Sequence, residues 1–578
     1  MNPQWQRTLE SFQSGQYEKA LHMCNAILAA SPQNAPAYHL AGIICLQSND
    51  SNNAVKYLKN AASLAHEDSE VFYHAGLAHQ LTNDAEPALH YYSQALKLNP
   101  KHAEAHDNKG IILQTQRKFE QALHAHTLAI DAKPELINPY IHAAEACRKL
   151  HRYADAEAFI SKALELDPEH YHASYTLATL LNDCRRFEEA IPLFWNLTLK
   201  RKDDAKVWRN LGVSFFSIPH AQYRDAEKCF RRAIELNPNY AEAHISLANL
   251  LLFEGRLDEG WQEYQWRFRS EAKKEEIGVF HNEFGDHQNF KDQRVLVLPE
   301  QGLGEELLFS SCFPDLIEDA KETYIICDHR LKPLYERTFP QAVIQGANKR
   351  CEIDINNVQV DSLLYSGSLL KTYRNNLACF NKRTFKLITD EQKNQYWKNY
   401  LSNLNDNLKI GISWTSQIRN ASRNHLYSEL DDLLSWFKIP GLTFVSLQYG
   451  DHNDAIEYFS KEHGVRIAVP EIDLYNDLDN IASLCNALDL VISPSNYTYI
   501  LAAAVGTPVW MTSSGIFFSF GQDNFPWLSN VTSFPRHPYE PDTRLSRQRL
   551  GNALFKFSQH QGHYVPTPQD RMLKSSLF

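Results

Sequence analysis

Two rhythms of apolar positions follow one another along the chain. Over about the first 270 residues, small and apolar residues recur at helical spacing, and the whole pattern repeats every 34 residues. Ala20, Ala54, Ala88, Ala122, Ala156 and Ala190 share one column, joined by Ala226 after a two-residue insertion. Gly42, Gly76, Gly110 and Gly212 form a second column, and Ala61, Ala95, Ala129, Ala163 and Ala233 a third. Small residues at such offsets suit two helices that cross closely. Pro32, Pro100, Pro134, Pro168 and, after the insertion, Pro238 punctuate the ends, because proline lacks the N–H a continuing helix needs. From residue 294 the pattern changes to short apolar runs, RVLVLP, TYIICD, KIGISW, TFVSLQ and DLVISP, each followed by turn residues and a helix-like segment. That alternation predicts parallel α/β sheets, with ligand loops at the carboxyl ends of the strands.

The repeat resembles the tetratricopeptide-repeat (TPR) family over about residues 1–270, in roughly eight helix pairs. The segment WRNLGVSFF carries it most clearly, with Trp208, Leu211, Gly212 and Phe215 in the first-helix pattern. His66 and Lys202 stand where proline is usual, and Gly260 replaces the alanine of the last repeat. The resemblance implies stacked hairpins forming a superhelix whose groove holds a peptide or protein, a scaffolding role being the plainer alternative. Trp261, Tyr264 and Trp266 cluster where the array ends and are expected to cover that end by docking the next domain.

Composition narrows the class. At 578 residues the chain exceeds what one core supports, and 43% hydrophobic with 22% charged residues marks a globular protein. A formal net charge of −11 argues against a nucleic-acid or anionic-membrane partner. The start has no secretory pattern and no apolar run reaches 18 residues, so a cytoplasmic protein without a membrane span is expected. Ten scattered cysteines without CxxC or zinc-type spacing predict free thiols and no structural metal.

Five loops of the second half carry candidate chemistry. Glu300-Gln301-Gly302-Leu303-Gly304-Glu305-Glu306 joins RVLVLP to a helix, and its glycines and helix start offer backbone N–H groups to a ligand. No GxxxxGK[ST] motif exists, which disfavours an ATPase, and the full dinucleotide fingerprint is missing. Ser413, Trp414 and Thr415 follow KIGIS and lead to Arg419 and Arg423, groups suited to phosphate, a solvated basic loop being the alternative. Gln448, Tyr449, Gly450 and Asp451 end the next run. Ser493, Ser495, Asn496 and Thr498 precede an alanine-rich helix whose start suits phosphate, although Ser and Asn also cap helices for structure alone. GQDNFPW, residues 521–527, reads as an aromatic loop with core packing as its alternative. Asp477-Leu478-Asp479 formally matches a metal-binding DxD, but capping by Asp479 of the helix that follows is simpler. His281, His329 and His425 have no partner nearby in sequence.

Taken in order, EQGLGEELLF, IGISWTS, VSLQYG, DLVISPSNYTYILAAAVGTPVW and GQDNFPW resemble the heptosyltransferase-like GT-B domain found behind bacterial TPR arrays, over about residues 290–540. The layout is also similar to that of protein O-GlcNAc transferases. The resemblance implies a TPR array at 1–270, a linker at 271–290, and two Rossmann-like lobes at 291–400 and 401–578, the second holding the nucleotide. It implies a nucleotide sugar as co-substrate, inversion at the anomeric carbon, and no metal or other cofactor. Gly302, Gly304, Ser413, Trp414, Thr415, Arg423, Gln448, Ser493, Ser495, Asn496 and Thr498 become donor-binding candidates, and Glu305 the candidate general base. Many relatives read Asp-Thr where this chain has Glu305-Glu306, and Glu305 has the alternative role of a first-turn helix acid. The expected function is transfer of a sugar to a hydroxyl of a protein recruited by the groove. Flagellin is the candidate acceptor and a nonulosonic acid the candidate sugar. A glycan or lipopolysaccharide acceptor, or a non-catalytic scaffold, is the alternative.

Overall fold

The structure, a computed structural model, describes residues 3–218, 222–270, 289–300, 302–348, 359–382, 385–416, 427–512, 519–522, 524–535 and 544–571. The chain forms two compact units, Met1–Lys202 and Asp203–Phe578. The expected linker, but for its last two residues, and Arg419, Arg423, His281 and His425 lie outside the described residues.

The first unit consists of six helix pairs: α1 (Pro3–Gln13) with α2 (Tyr17–Ala30), α3 (Ala35–Gln47) with α4 (Ser51–Leu64), α5 (Ser69–Leu81) with α6 (Ala85–Leu98), α7 (Ala103–Thr115) with α8 (Phe119–Ala132), α9 (Ile137–Lys149) with α10 (Tyr153–Leu166), and α11 (Tyr171–Asp183) with α12 (Phe187–Lys200). The columns have structural causes. Each column alanine from Ala20 to Ala190 is wholly buried where the paired helices cross. A Cβ on Gly76 would lie 2.7 Å from the Tyr92 ring, so a side chain there would force the helices apart. The turn inside each pair needs a left-handed residue, supplied by Gly15, Asn49, Asn83, Arg117, His151 and Arg185, again 34 residues apart. Asn34, Asp68, His102 and His170 cap the first helices by accepting backbone N–H bonds, whereas Leu136, in the same register before α9, makes none.

The second unit opens with two further pairs, α13 (Ala205–Ser217) with α14 (Tyr223–Leu236) and α15 (Ala241–Phe253) with α16 (Leu257–Tyr264). Two all-parallel sheets follow. β1 (Arg294–Leu298), β2 (Glu322–Asp328), β3 (Val343–Ala347) and β4 (Ser362–Tyr365) form the first, in the order β3-β2-β1-β4. β5 (Leu408–Ile412), β6 (Leu442–Ser446), β7 (Ile467–Ala468), β8 (Leu490–Ser493), β9 (Val509–Met511) and β10 (Val531–Ser533) form the second, in the order β10-β9-β8-β5-β6-β7. In the second sheet the order runs outward in both directions from the neighbours β5 and β8, so the topological switch, where such sheets bind ligands, lies between their carboxyl ends.

The last helix pair belongs to the core of this unit. Trp261 is wholly buried, meets Phe520 edge-on with ring centroids 5.8 Å apart, and donates its indole N–H to the Arg374 carbonyl at 2.8 Å. Arg267, just beyond α16, forms a buried bidentate pair with Glu300 after β1, at 2.7 and 2.8 Å. Trp266 instead stacks on His244, with centroids 3.8 Å apart. The GQDNFPW segment follows its alternative reading, with Phe525 and Trp527 buried in the core.

Candidate functional site

The carboxyl ends of β5, β6 and β8 meet through two side-chain amides. Gln448, after β6, accepts on Oε1 from the Ser413 hydroxyl at 3.2 Å and from the N–H groups of Trp414 and Thr415 at 3.0 Å each. Asn496, after β8, caps α25, the helix Tyr497–Ala504, by accepting from the Thr498 N–H at 2.9 Å, and accepts also from the Ser493 hydroxyl. Its amide group donates to Ser413 Oγ at 3.1 Å and to the Thr415 carbonyl at 3.3 Å. Six sequence candidates, Ser413, Trp414, Thr415, Gln448, Ser493 and Asn496, thus form one bonded network at the switch point. The Trp414 ring turns away into the core beside Ile410, Ile412 and Trp436, leaving only its backbone N–H at the site. Thr498 is buried, and its hydroxyl has no hydrogen-bond partner among the described residues.

The glycine-bearing loop after β1 approaches from the other sheet. Its helix, α17 (Leu303–Phe309), packs on α25, and a Cβ on Gly304 would lie 3.0 Å from Ile500 Cδ1, so this glycine permits the helix contact. Gly302 caps α17 and is exposed. The three glutamates of the motif have separate fates. Glu300 is consumed by Arg267 and by the Gly367 N–H, and buried Glu306 accepts from the Asp328 N–H at 2.9 Å. Glu305 is half-buried and takes no hydrogen bond from any described residue. It lies near Tyr499 of α25, whose phenol is raised well above its ordinary pKa by burial and then by the Glu305 charge, with a hydrogen bond to Ser495 acting the other way. Glu305, Ser495 and Tyr499 therefore share one locality between the two sheets.

Sequence reasoning passed over Arg330. It follows β2, pairs with Asp328 at 2.7 Å, donates to the Tyr475 carbonyl at 3.1 Å, and sits 4.9 Å over the Tyr475 ring. Tyr475, Tyr449 and Tyr497 stand side by side, with Tyr449 and Tyr497 centroids 4.9 Å apart. The rule that singled out the other loops, residues directly after an apolar run, applies equally to Asp328-His329-Arg330. A cavity of about 300 Å³ adjoins, lined by Gln448, Gly450, Asn453, Pro470 and Tyr475 among others. A larger one, about 420 Å³, opens beside Asn405, Asn407 and Leu442 at the amino ends of β5 and β6. The smaller is the better candidate, because ligands of parallel sheets bind at the carboxyl ends.

The DxD motif has other employment, and its capping residue is Asp477, not Asp479. Asp477 accepts from the Asn480 N–H at 3.1 Å at the start of α24 (Leu478–Asn486), while Asp479 is nearly buried between Arg337 and Lys393. All nine described cysteines are free and, Cys184 apart, buried. No described helix is long and apolar enough to cross a membrane.

Comparison with known proteins agrees with the repeats. Tetratricopeptide-repeat family models match residues 11–74, 69–102, 148–211 and 229–262. Among curated proteins, protein FlbA of Caulobacter vibrioides is 32% identical over 427 residues, covering 70% of this chain and 71% of that protein. Among solved structures, MamA is 22% identical, with 28% of this chain and 88% of that chain covered and a TM-score of 0.27. YrrB, described as a TPR protein with an unusual peptide-binding site, is 21% identical, with 33% and 97% covered and a TM-score of 0.29.

Proposed function

The chain belongs to the family of protein FlbA, and from that premise we propose that its α/β part is a GT-B-type glycosyltransferase acting on a protein delivered by the TPR helices. The donor is a nucleotide sugar and the acceptor a serine or threonine hydroxyl, with flagellin the acceptor to test first. The observation that carries the proposal is the convergence of the Ser413 hydroxyl and the Trp414 and Thr415 N–H groups on a single oxygen at the β5/β8 switch point. With Gln448 swung aside, a phosphate oxygen of the nucleotide sugar would meet the same three donors, and the start of α25 with the unpartnered Thr498 hydroxyl would add to them.

In this reading the acceptor oxygen attacks the anomeric carbon as the bond from that carbon to the nucleotide's phosphate oxygen breaks. Glu305 takes the hydroxyl proton, and the nucleotide leaves with the bonding electrons, its phosphate held by the hydrogen-bond donors at the switch point. A divalent ion is not required of the DxD carboxylates, which are engaged in a helix cap and a double ion pair. Arg423 retains its proposed role as a phosphate partner.

The test is incubation of the full chain with a panel of nucleotide sugars and candidate acceptor proteins, followed by intact-mass spectrometry. One sugar mass added to a protein is expected, and Glu305→Gln should slow transfer by about a hundredfold or more with donor affinity kept. Transfer to glycans alone would overturn the protein acceptor. Failure of every nucleotide sugar to bind in calorimetry would leave a scaffold, and full activity in Glu305→Gln would dismiss Glu305 as base.

A further inference from the structure

The column that packs against the small residues of each repeat is apolar and wholly buried at Leu58, Tyr92, Ile160 and Phe194. At the same position the α7/α8 pair carries His126, equally buried, with its ring against Gly110. Burying an imidazole where a hydrocarbon would serve costs free energy unless something binds it. His126 Nδ1 lies 2.7 Å from Asp107 Oδ1 of α7, and His142 Nδ1 of α9 lies 3.0 and 3.1 Å from the two Asp107 oxygens. One ligand atom from each residue falls within 4.8 Å of the others.

We propose that Asp107, His126 and His142 bind one divalent transition-metal ion of the zinc class, tying three helices of the first unit together. Two nitrogens and one carboxylate oxygen are a set that zinc accepts, with an ion-to-donor distance of about 2.0–2.2 Å. Adjacent donors on such an ion stand about 3 Å apart, the spacing that already separates Asp107 from both imidazoles. Glu145 acts on both imidazoles with a further negative charge, which favours a cation. His142 is 26% exposed, so one side of the cluster opens to solvent and leaves a coordination position for water or an incoming side chain. The expectation of no structural metal rested on cysteine spacing and does not touch a nitrogen–oxygen set whose members lie 19 and 16 residues apart.

The experiment uses the full chain, stripped with a chelator and dialysed. Zn²⁺ is added in a calorimeter, and Co²⁺ in a visible-light spectrometer as a reporter of coordination. One saturable equivalent of Zn²⁺, a rise in melting temperature, and a Co²⁺ spectrum distinct from that of the aqua ion are expected. Asp107→Asn, which keeps size and one acceptor, and His142→Gln, on the open side, should each weaken that equivalent at least tenfold with an unchanged circular-dichroism spectrum. Absence of a saturable equivalent, an aqua-type Co²⁺ spectrum, or undiminished binding in both variants would overturn the site. Sugar transfer is not part of the readout, so this result and that of the proposed activity stand apart.

Discussion

Histidines of the first unit show how burial sets chemistry residue by residue. His39 and His74, one register position apart in neighbouring repeats, share a hydrogen bond of 3.1 Å, which leaves no room for both to be charged. Burial, and then the His74 charge, bring the His39 pKa down to about 4, with Asp68 opposing. In the unfolded chain the same group titrates near about 6.5. Between those values the unfolded state binds more protons, so stability falls as pH drops from about 7 to 4, by an amount on the order of 2–3 kcal/mol from this residue. His74, His106 and His126 are lowered by burial in the same sense, while His142, raised by Asp107 against its own burial, partly offsets them. Urea melts at pH 7.5 and 5 should show the loss, and His39→Gln should reduce the difference between the two; an equal difference in wild type and variant would refute the assignment. Such residues were only partly legible. The sequence shows three glutamates in one motif, but which of them is free depends on Arg267, Gly367 and Asp328, partners 33, 67 and 22 residues from the glutamates they engage.

Among elements, the repeats were legible because each small residue answers to a local cause recurring every 34 positions: a crossing at Ala54, a ring over Gly76, a left-handed turn at Asn83. Strands β1, β2, β5, β6 and β8 announce themselves as apolar runs. β7, of two residues, and β9 and β10, of three, are too short to establish a period and owe their existence to pairing with neighbours. The regularity also exposes a weak element. α9 begins after Leu136, where the other first helices carry Asn34, Asp68, His102 or His170 with a bonded cap. Leu136→Asp should add about 1 kcal/mol of stability by accepting a free N–H of the first turn and meeting the helix dipole, as read from the urea midpoint. Asp68→Ala should remove a similar amount. No gain in the first variant would mean that the half-buried Leu136 side chain contributes more by packing than the cap does.

At the scale of the whole molecule, sequence period and packing disagree about where to divide the chain. The helix spacing keeps its 34-residue period from Tyr171 to Ala205, and Lys202 in place of the usual proline, an exception shared with His66, does not mark the end of a compact unit. What binds the last two helix pairs to the sheets is side-chain contact over long separations: the Trp261 indole on the Arg374 carbonyl, and the Arg267 guanidinium on Glu300. A chain beginning at Asp203 keeps both. One beginning at Lys291 would expose the pocket of a fully buried tryptophan and leave Glu300, 3% exposed, without its cation. Losing one partner of a buried pair costs about 3–5 kcal/mol, and losing a buried tryptophan side chain about as much again, enough together to unfold an ordinary domain. The shorter chain should therefore aggregate or melt without cooperativity, while the chain from Asp203 should show a single sharp transition and keep any donor binding of the full protein. Under the proposed function it should also lose transfer to the folded protein acceptor, because six helix pairs are gone. Retention of that transfer at the full rate would assign acceptor choice to the α/β part and leave the repeats of the first unit with another partner.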